Sequence, residues 1–209
     1  MCFCCVILEL FNFRSVDTVV AIERTGPSAD GTYRTMKGYD MTHLIAPLEL
    51  LFIGGQDFDD NEESNDILFA NRPKTVGIGD GGNEVGMGKV LHKILPSSIP
   101  NAMEIACIVP SDHLIVASVS NWGGYALAAA TAVLSCNHDL SVSFDSKSTR
   151  ETVFNCLPSS EKETELCQRL IDAGARDGVT KLQEMSVDGM PLSKSLEILE
   201  EIRKIAIYS

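Results

Sequence analysis

The chain has 209 residues, 44% hydrophobic and 22% charged, enough apolar side chain for one compact domain with a sizeable core. Its 17 Lys and Arg against 29 Asp and Glu leave a net charge of -12, which argues against a nucleic-acid or anionic-membrane surface, where clustered cations are needed. The same balance is compatible with holding cations through carboxylates.

Residues 1–15, opening MCFCCVILELFNF, are apolar but too short to span a bilayer. They lack the basic start of a secretory signal and the Arg- and Ser-rich character of a transit peptide. They read as the remnant of a longer domain or an alternative start. Cysteines are scattered and form no set of two CxxC pairs, which disfavours zinc and favours free thiols in a reducing compartment. Cys107, inside an apolar run, reads as a small core residue.

Residues 16–22 (VDTVVAI) are β-branched and predict a buried strand. The polar loop 23–38, ERTGPSADGTYRTMKG, follows, and a helix with Pro47 in its first turn is expected over LELLF. Residues 56–66, QDFDDNEESND, read as an acidic surface insertion. Residues 74–78 (KTVGI) predict the next strand, with GIGDGGNEVGMGK (77–89) at its C-terminal end and a helix from 84 or 85 to Leu95, stopped by Pro96. Two apolar strands, 103–109 and 113–119, are expected around a turn short enough for a hairpin. SNWGGYALAAATAVL (120–134) reads as a tight loop feeding an Ala-rich helix, and 137–150 as a linker. Amphipathic helices are expected at 159–173 and 193–206, with a turn at 187–189 between them. Strand, glycine loop and helix in alternation give an α/β class, a layered sheet flanked by helices, with Gly-rich acidic loops leaving the C-terminal ends of strands.

The glycine loop has look-alikes. Gly77, Gly79 and Gly82 satisfy GxGxxG, but Asp80 falls where a pyrophosphate would approach, so no nucleotide is expected. A P-loop would need glycine where Asn83 stands and Ser or Thr where Val90 stands. Taking the acids seriously, Asp80, Asn83 and Glu84 present hard oxygen ligands of the kind that Mg²⁺, Mn²⁺ or Ca²⁺ prefers. Glu23 and Asp30 could complete that set from the neighbouring loop. The plainer alternative is a turn in which Asp80 or Asn83 caps a helix and Glu84 favours its dipole. Arg24 and Arg34 could clamp a carboxylate, or lie on the surface. Asn121 and Trp122 could supply a hydrogen bond and an apolar wall to a ligand, or the Trp could simply be packed.

The three segments ERTGPSADGTYRTMKG, GIGDGGNEVGMGK and SNWGGYALA, in that order, resemble the C-terminal domain of the D-glutamate cyclase family, over residue 16 to the end and including VDGMPL near 187–192. The resemblance implies conversion of D-glutamate to 5-oxo-D-proline with loss of water. It also implies a mitochondrial location and a hydro-lyase-like domain upstream. By position it assigns the acidic site to Glu23, Asp30, Asp80, Asn83 and Glu84, with Asn121 nearby. A divalent ion on Asp80 and Glu84 could polarise the substrate carboxyl, Glu23 is a candidate base, and Lys89 could hold a carboxylate. The substrate expected is D-glutamate or a similar amino acid. Other readings stay open: a non-catalytic metal- or amino-acid-binding domain derived from the enzyme, and a metal-dependent phosphatase.

Overall fold

The computed structural model describes residues 16–53, 73–95, 99–137 and 147–208. The expected N-terminal remnant and the acidic insertion at 56–66 lie outside them. The chain divides into two compact units, 1–120 and 121–209.

In the first unit, β1 (Thr18–Ile22), β2 (Lys74–Gly79) and β3 (His113–Val116) form a parallel sheet in the order β1-β2-β3. Every residue of β2 after Lys74 is buried, as a central parallel strand requires. Register places Ala21 beside Gly77 and Gly77 beside Leu114. Side chains alternate along a strand, so Val19, Ala21 and Leu114 share one face. That face packs on Val85, Met87, Ile94, Cys107 and Val109. The strands run the same way, so their C-terminal ends open on one edge of the sheet, the usual place for a site in α/β folds.

Short helices flank the sheet: α1 (Leu50–Ile53), α2 (Leu91–Ile94) and α3 (Ala102–Ile105). Several expectations need correction here. The helix expected from residue 84 or 85 starts later, as a 3-10 turn over Gly88–Val90 and then α2. Glu84 bridges to Thr25, Gly86 and Met87 bridge to Pro110, and Gly86 has a φ of 104°, which no right-handed helix accommodates. The strand expected at 103–109 is instead α3 followed by an extended stretch, so no hairpin joins it to β3. The N–H of Cys107 goes to the Gly82 carbonyl (3.0 Å) and that of Ile108 to Pro27 (3.0 Å), which leaves no ladder to form. Pro47 precedes α1 rather than opening it, and the expected linker includes a helix at 147–156.

The second unit begins one residue into α4 (Ser120–Asn137), which is helical from Ser120 rather than looped. It continues with α5 (Lys147–Cys156), α6 (Ser160–Asp172), the hairpin strands β4 (Ser186–Val187) and β5 (Met190–Pro191), and α7 (Leu192–Tyr208). Ser159 caps α6 by accepting the Lys162 N–H (3.3 Å), with Glu161 and Glu163 in the first turn where the dipole favours acids. Asp188 and Gly189 link β4 to β5 with φ of 57° and 77°, the paired positive angles of a two-residue hairpin turn. Ala129, Leu157 and Leu199 form the core, with Tyr125 and Ile202 against it.

Asp177 ties this unit's loop region together. Its carboxylate accepts N–H groups of Val179 (2.7 Å), Thr180 (2.8 Å) and Gly189 (2.9 Å) and the Ser186 hydroxyl (2.6 Å). Desolvation raises its pKa, but the bonds from Ser186, Gly189, Thr180 and Val179 outweigh that and hold it well below the ordinary value. The stabilisation is therefore fully present above the unfolded-state pKa of about 4 and drains away as pH falls below it. Asp177→Asn is expected to cost about 2 kcal/mol at neutral pH. In urea titrations the variant and the parent chain should converge at acidic pH; a constant gap would show that ionisation is not the source.

Candidate active site

The loop leaving β1 and the glycine loop leaving β2 are stitched into one structure. The Glu23 N–H donates to Ile78 (3.0 Å), Val85 donates to Arg24 (2.7 Å), and Gly26 donates to Asn83 (2.9 Å). Thr25 and Glu84 face each other in an antiparallel bridge. Asn83, which is buried, adds a side-chain bond from Nδ2 to the Arg34 carbonyl (2.8 Å). Backbone pairing of this density fixes where the acids point.

Glu84 is 2% exposed, and both carboxylate oxygens face backbone donors: Gly81 (2.8 Å) and the longer Asp80 contact (3.4 Å) on Oε1, Gly82 (2.7 Å) on Oε2. Each carboxylate oxygen has two acceptor positions, so capacity for a further partner remains. Glu23, exposed directly after β1, has a φ of 51°, an uncommon conformation for a non-glycine residue and one that concentrates at functional sites. Asp80 Oδ2 accepts the Ser120 N–H (3.2 Å) and lies 3.3 Å from its hydroxyl, while that hydroxyl also donates to Glu23 Oε2. Glu23, Asp80 and Glu84 each offer an oxygen, and these lie within 4.8 Å of one another.

Three carboxylates at that spacing repel one another unless a cation or a proton sits among them. All are hard oxygen donors, so the set fits a divalent ion of the Mg²⁺, Mn²⁺ or Ca²⁺ type. Ser120, buried between two of the acids, was invisible as a site residue in the sequence. The available signal was positional: like Glu23 and Asp80, it follows a parallel strand.

The other candidates are placed differently. Asp30 is exposed and is not among the converging acids; Thr32 through its hydroxyl and N–H, then Arg34, then Ser28 hold its carboxyl well below the usual range. Arg34 spans Asp30 (3.0 Å) and the Gly38 carbonyl (3.2 Å), and Arg24 donates to the Ala46 carbonyl. The exposed Lys89 reaches the Asp112 carbonyl. Asn121 and Trp122 belong to the second unit. There the Trp122 indole donates to Ser195 (3.0 Å), and Asn121 lines a cavity of about 240 Å³ with Glu163, Cys167 and Asp177. Cys107 is the core residue expected of it; burial pushes its thiol up to about 12, which makes it a poor nucleophile.

Comparison with known proteins meets this geometry from another direction. The family described as D-glutamate cyclase-like, C-terminal, matches residues 3–203. A relative from Homo sapiens named "D-glutamate cyclase, mitochondrial" is 35% identical over 186 residues, covering 84% of this chain and 27% of its own length. The chain thus spans about a quarter of that relative. A match across nearly all of the sequence, including every segment that builds the acidic cluster, decides the affiliation: the chain belongs to the D-glutamate cyclase-like C-terminal family.

Proposed function

We propose that the chain forms the acidic centre of a D-glutamate cyclase-type hydro-lyase, which turns D-glutamate into 5-oxo-D-proline and water. The convergence of Glu23, Asp80 and Glu84 within 4.8 Å, at the strand ends of a chain of this family, carries the reading. The substrate supplies both reacting groups: its α-nitrogen attacks its own γ-carboxyl carbon, a carboxyl oxygen departs, and the two protons shed by the ammonium end on that oxygen as water. Ring closure is intramolecular, so a site that holds the chain bent gains most of its advantage from orientation.

A divalent ion held by Asp80 and Glu84 would neutralise the substrate's γ-carboxylate and make its carbon a better electrophile. Glu23 is assigned as the base that takes the ammonium proton. It is exposed, and its Oε2 accepts the Ser120 hydroxyl, which orients the carboxylate. Ser120 has one hydroxyl proton, so it donates to Glu23 or to Asp80 but not to both at once. Glu84 keeps the glycine loop closed around the site. By kinship with the human protein the setting is the mitochondrion; among the described residues no helix is long and apolar enough to cross a membrane.

Asp80→Asn is expected to weaken Mn²⁺ binding about tenfold or more by calorimetry while the fold is kept. Unchanged affinity would remove the ion from the scheme. Turnover is tested with D-glutamate and its L-enantiomer, with and without Mn²⁺. Product from the D-isomer supports the cyclase; ion binding without product supports a second reading, a binding domain. Phosphate release from a generic ester would instead reveal a phosphatase.

A further inference from the structure

A second cavity lies in the first unit and shares no residue with the acidic cluster. It measures about 460 Å³, within the range of small-molecule pockets. Its apolar walls are Pro27, Leu50, Ile53, Ile108, Val109 and Pro110. Tyr33 and Glu49 also line it, and both are buried, at 6% and 7% exposure. The Tyr33 hydroxyl donates to Glu49 Oε1 (2.5 Å), whereas Glu49 Oε2 is buried with no hydrogen-bond partner among the described residues. Burial, then the bond and charge of Glu49, push the Tyr33 phenol well up, so Tyr33 keeps its proton and is the donor in that bond.

A buried carboxylate oxygen without a donor is costly and is ordinarily satisfied. The missing partner is an N–H or O–H group, a cationic one being favoured by the charge of Glu49. Ser28 lines it too, but its hydroxyl is already bonded to Asp30 (2.8 Å) and the Thr32 carbonyl (3.0 Å); the remaining side chains of the wall are hydrocarbon, which fits an apolar body. We propose that this cavity is a second ligand site, taking a small organic amine whose ammonium pairs with Glu49 and whose aromatic or aliphatic part fills the space between Leu50, Ile53 and Ile108. The site is distinct from that proposed for glutamate, because an apolar pocket holding a carboxylate repels a dicarboxylate. It shares the loop after β1 with the acidic cluster: Arg24 accepts from Val85 on one side, and Pro27 accepts from Ile108 on the other.

The probes are tryptamine, its alcohol analogue tryptophol, and indole-3-propionate, added to the full chain with methyl-labelled Ile and Leu. Tryptamine is expected to shift the Ile53, Ile108 and Leu50 methyls and to bind about tenfold or more tighter than tryptophol, with indole-3-propionate weakest. Glu49→Gln should erase the preference for the amine. As Glu49→Gln could unfold the loop, Ile108→Trp provides an independent check: it fills the cavity and should abolish tryptamine binding while Mn²⁺ binding persists. Equal binding of amine and alcohol, tryptamine binding unchanged in either variant, or no methyl shifts with any probe would each overturn the assignment. Because the readout is amine binding, a failed cyclase assay leaves it standing.

Discussion

A Glu84→Gln variant is expected to lose both cation affinity and fold stability, although the substitution looks conservative. Each carboxylate oxygen of Glu84 receives a backbone N–H, at 2.8 Å from Gly81 and 2.7 Å from Gly82. An amide has one acceptor oxygen, so in either orientation its NH₂ confronts one of those donors. Glu84 is 2% exposed, so little water reaches those donors. One stranded donor, with the charge of the acceptor also gone, costs about 1–3 kcal/mol. The urea midpoint should fall with an unchanged m-value, and Mn²⁺ binding should drop with it. The contrast with Asp80→Asn is diagnostic, since that change is expected to spare stability. If Glu84→Gln proved as stable as the parent chain, Glu84 would not be the residue that holds the loop.

The second large effect is expected at Gly88. A Cβ there would sit 2.2 Å from the Ile108 carbonyl oxygen, 2.5 Å from its carbon and 2.6 Å from the Val109 carbonyl carbon. All three obstacles are backbone, so no rotamer change relieves them. The stretch they belong to also anchors Gly86 and Gly88, whose N–H groups donate to Val109 at 2.9 and 3.1 Å. Gly88→Ala should therefore cost about 3 kcal/mol or more, at the upper end of overpacking effects. Gly178→Ala is the control, because a Cβ there meets nothing within 4 Å among the described residues. Thermal unfolding should separate the two clearly; similar melting temperatures would contradict the close approach.

Much of the architecture was legible in the periodicity. The run VDTVVAI became β1, although not the buried strand expected: β1 stands at the end of the sheet order, with Ala21 buried and Val20 and Ile22 exposed. KTVGI became β2, and both amphipathic C-terminal helices stand close to where their apolar spacing put them. The misreadings share a cause. MEIACIV has strand composition, but its N–H groups are claimed by Gly82 and Pro27, which lie far away in sequence. The early helix after the glycine loop failed for the same reason, as residues 84–87 pair with Thr25 and Pro110. Asp30 and Glu84 look alike as letters. One is occupied by its own turn and the other is driven inside by Gly81 and Gly82, a difference that only the folded loop creates.

Ser120 and Glu23 are joined across 97 residues, and Ser120 and Asp80 across 40. Contacts of that span close last, since large loops must be shut before they give any return. The hairpin at 186–191 needs only neighbours, so it can order early. The acidic cluster is therefore expected to form late in folding. An ion titrated into the refolding chain would report the final closure of the sheet edge, and by favouring only the finished state it would act as a thermodynamic latch on a topology that is otherwise slow to complete.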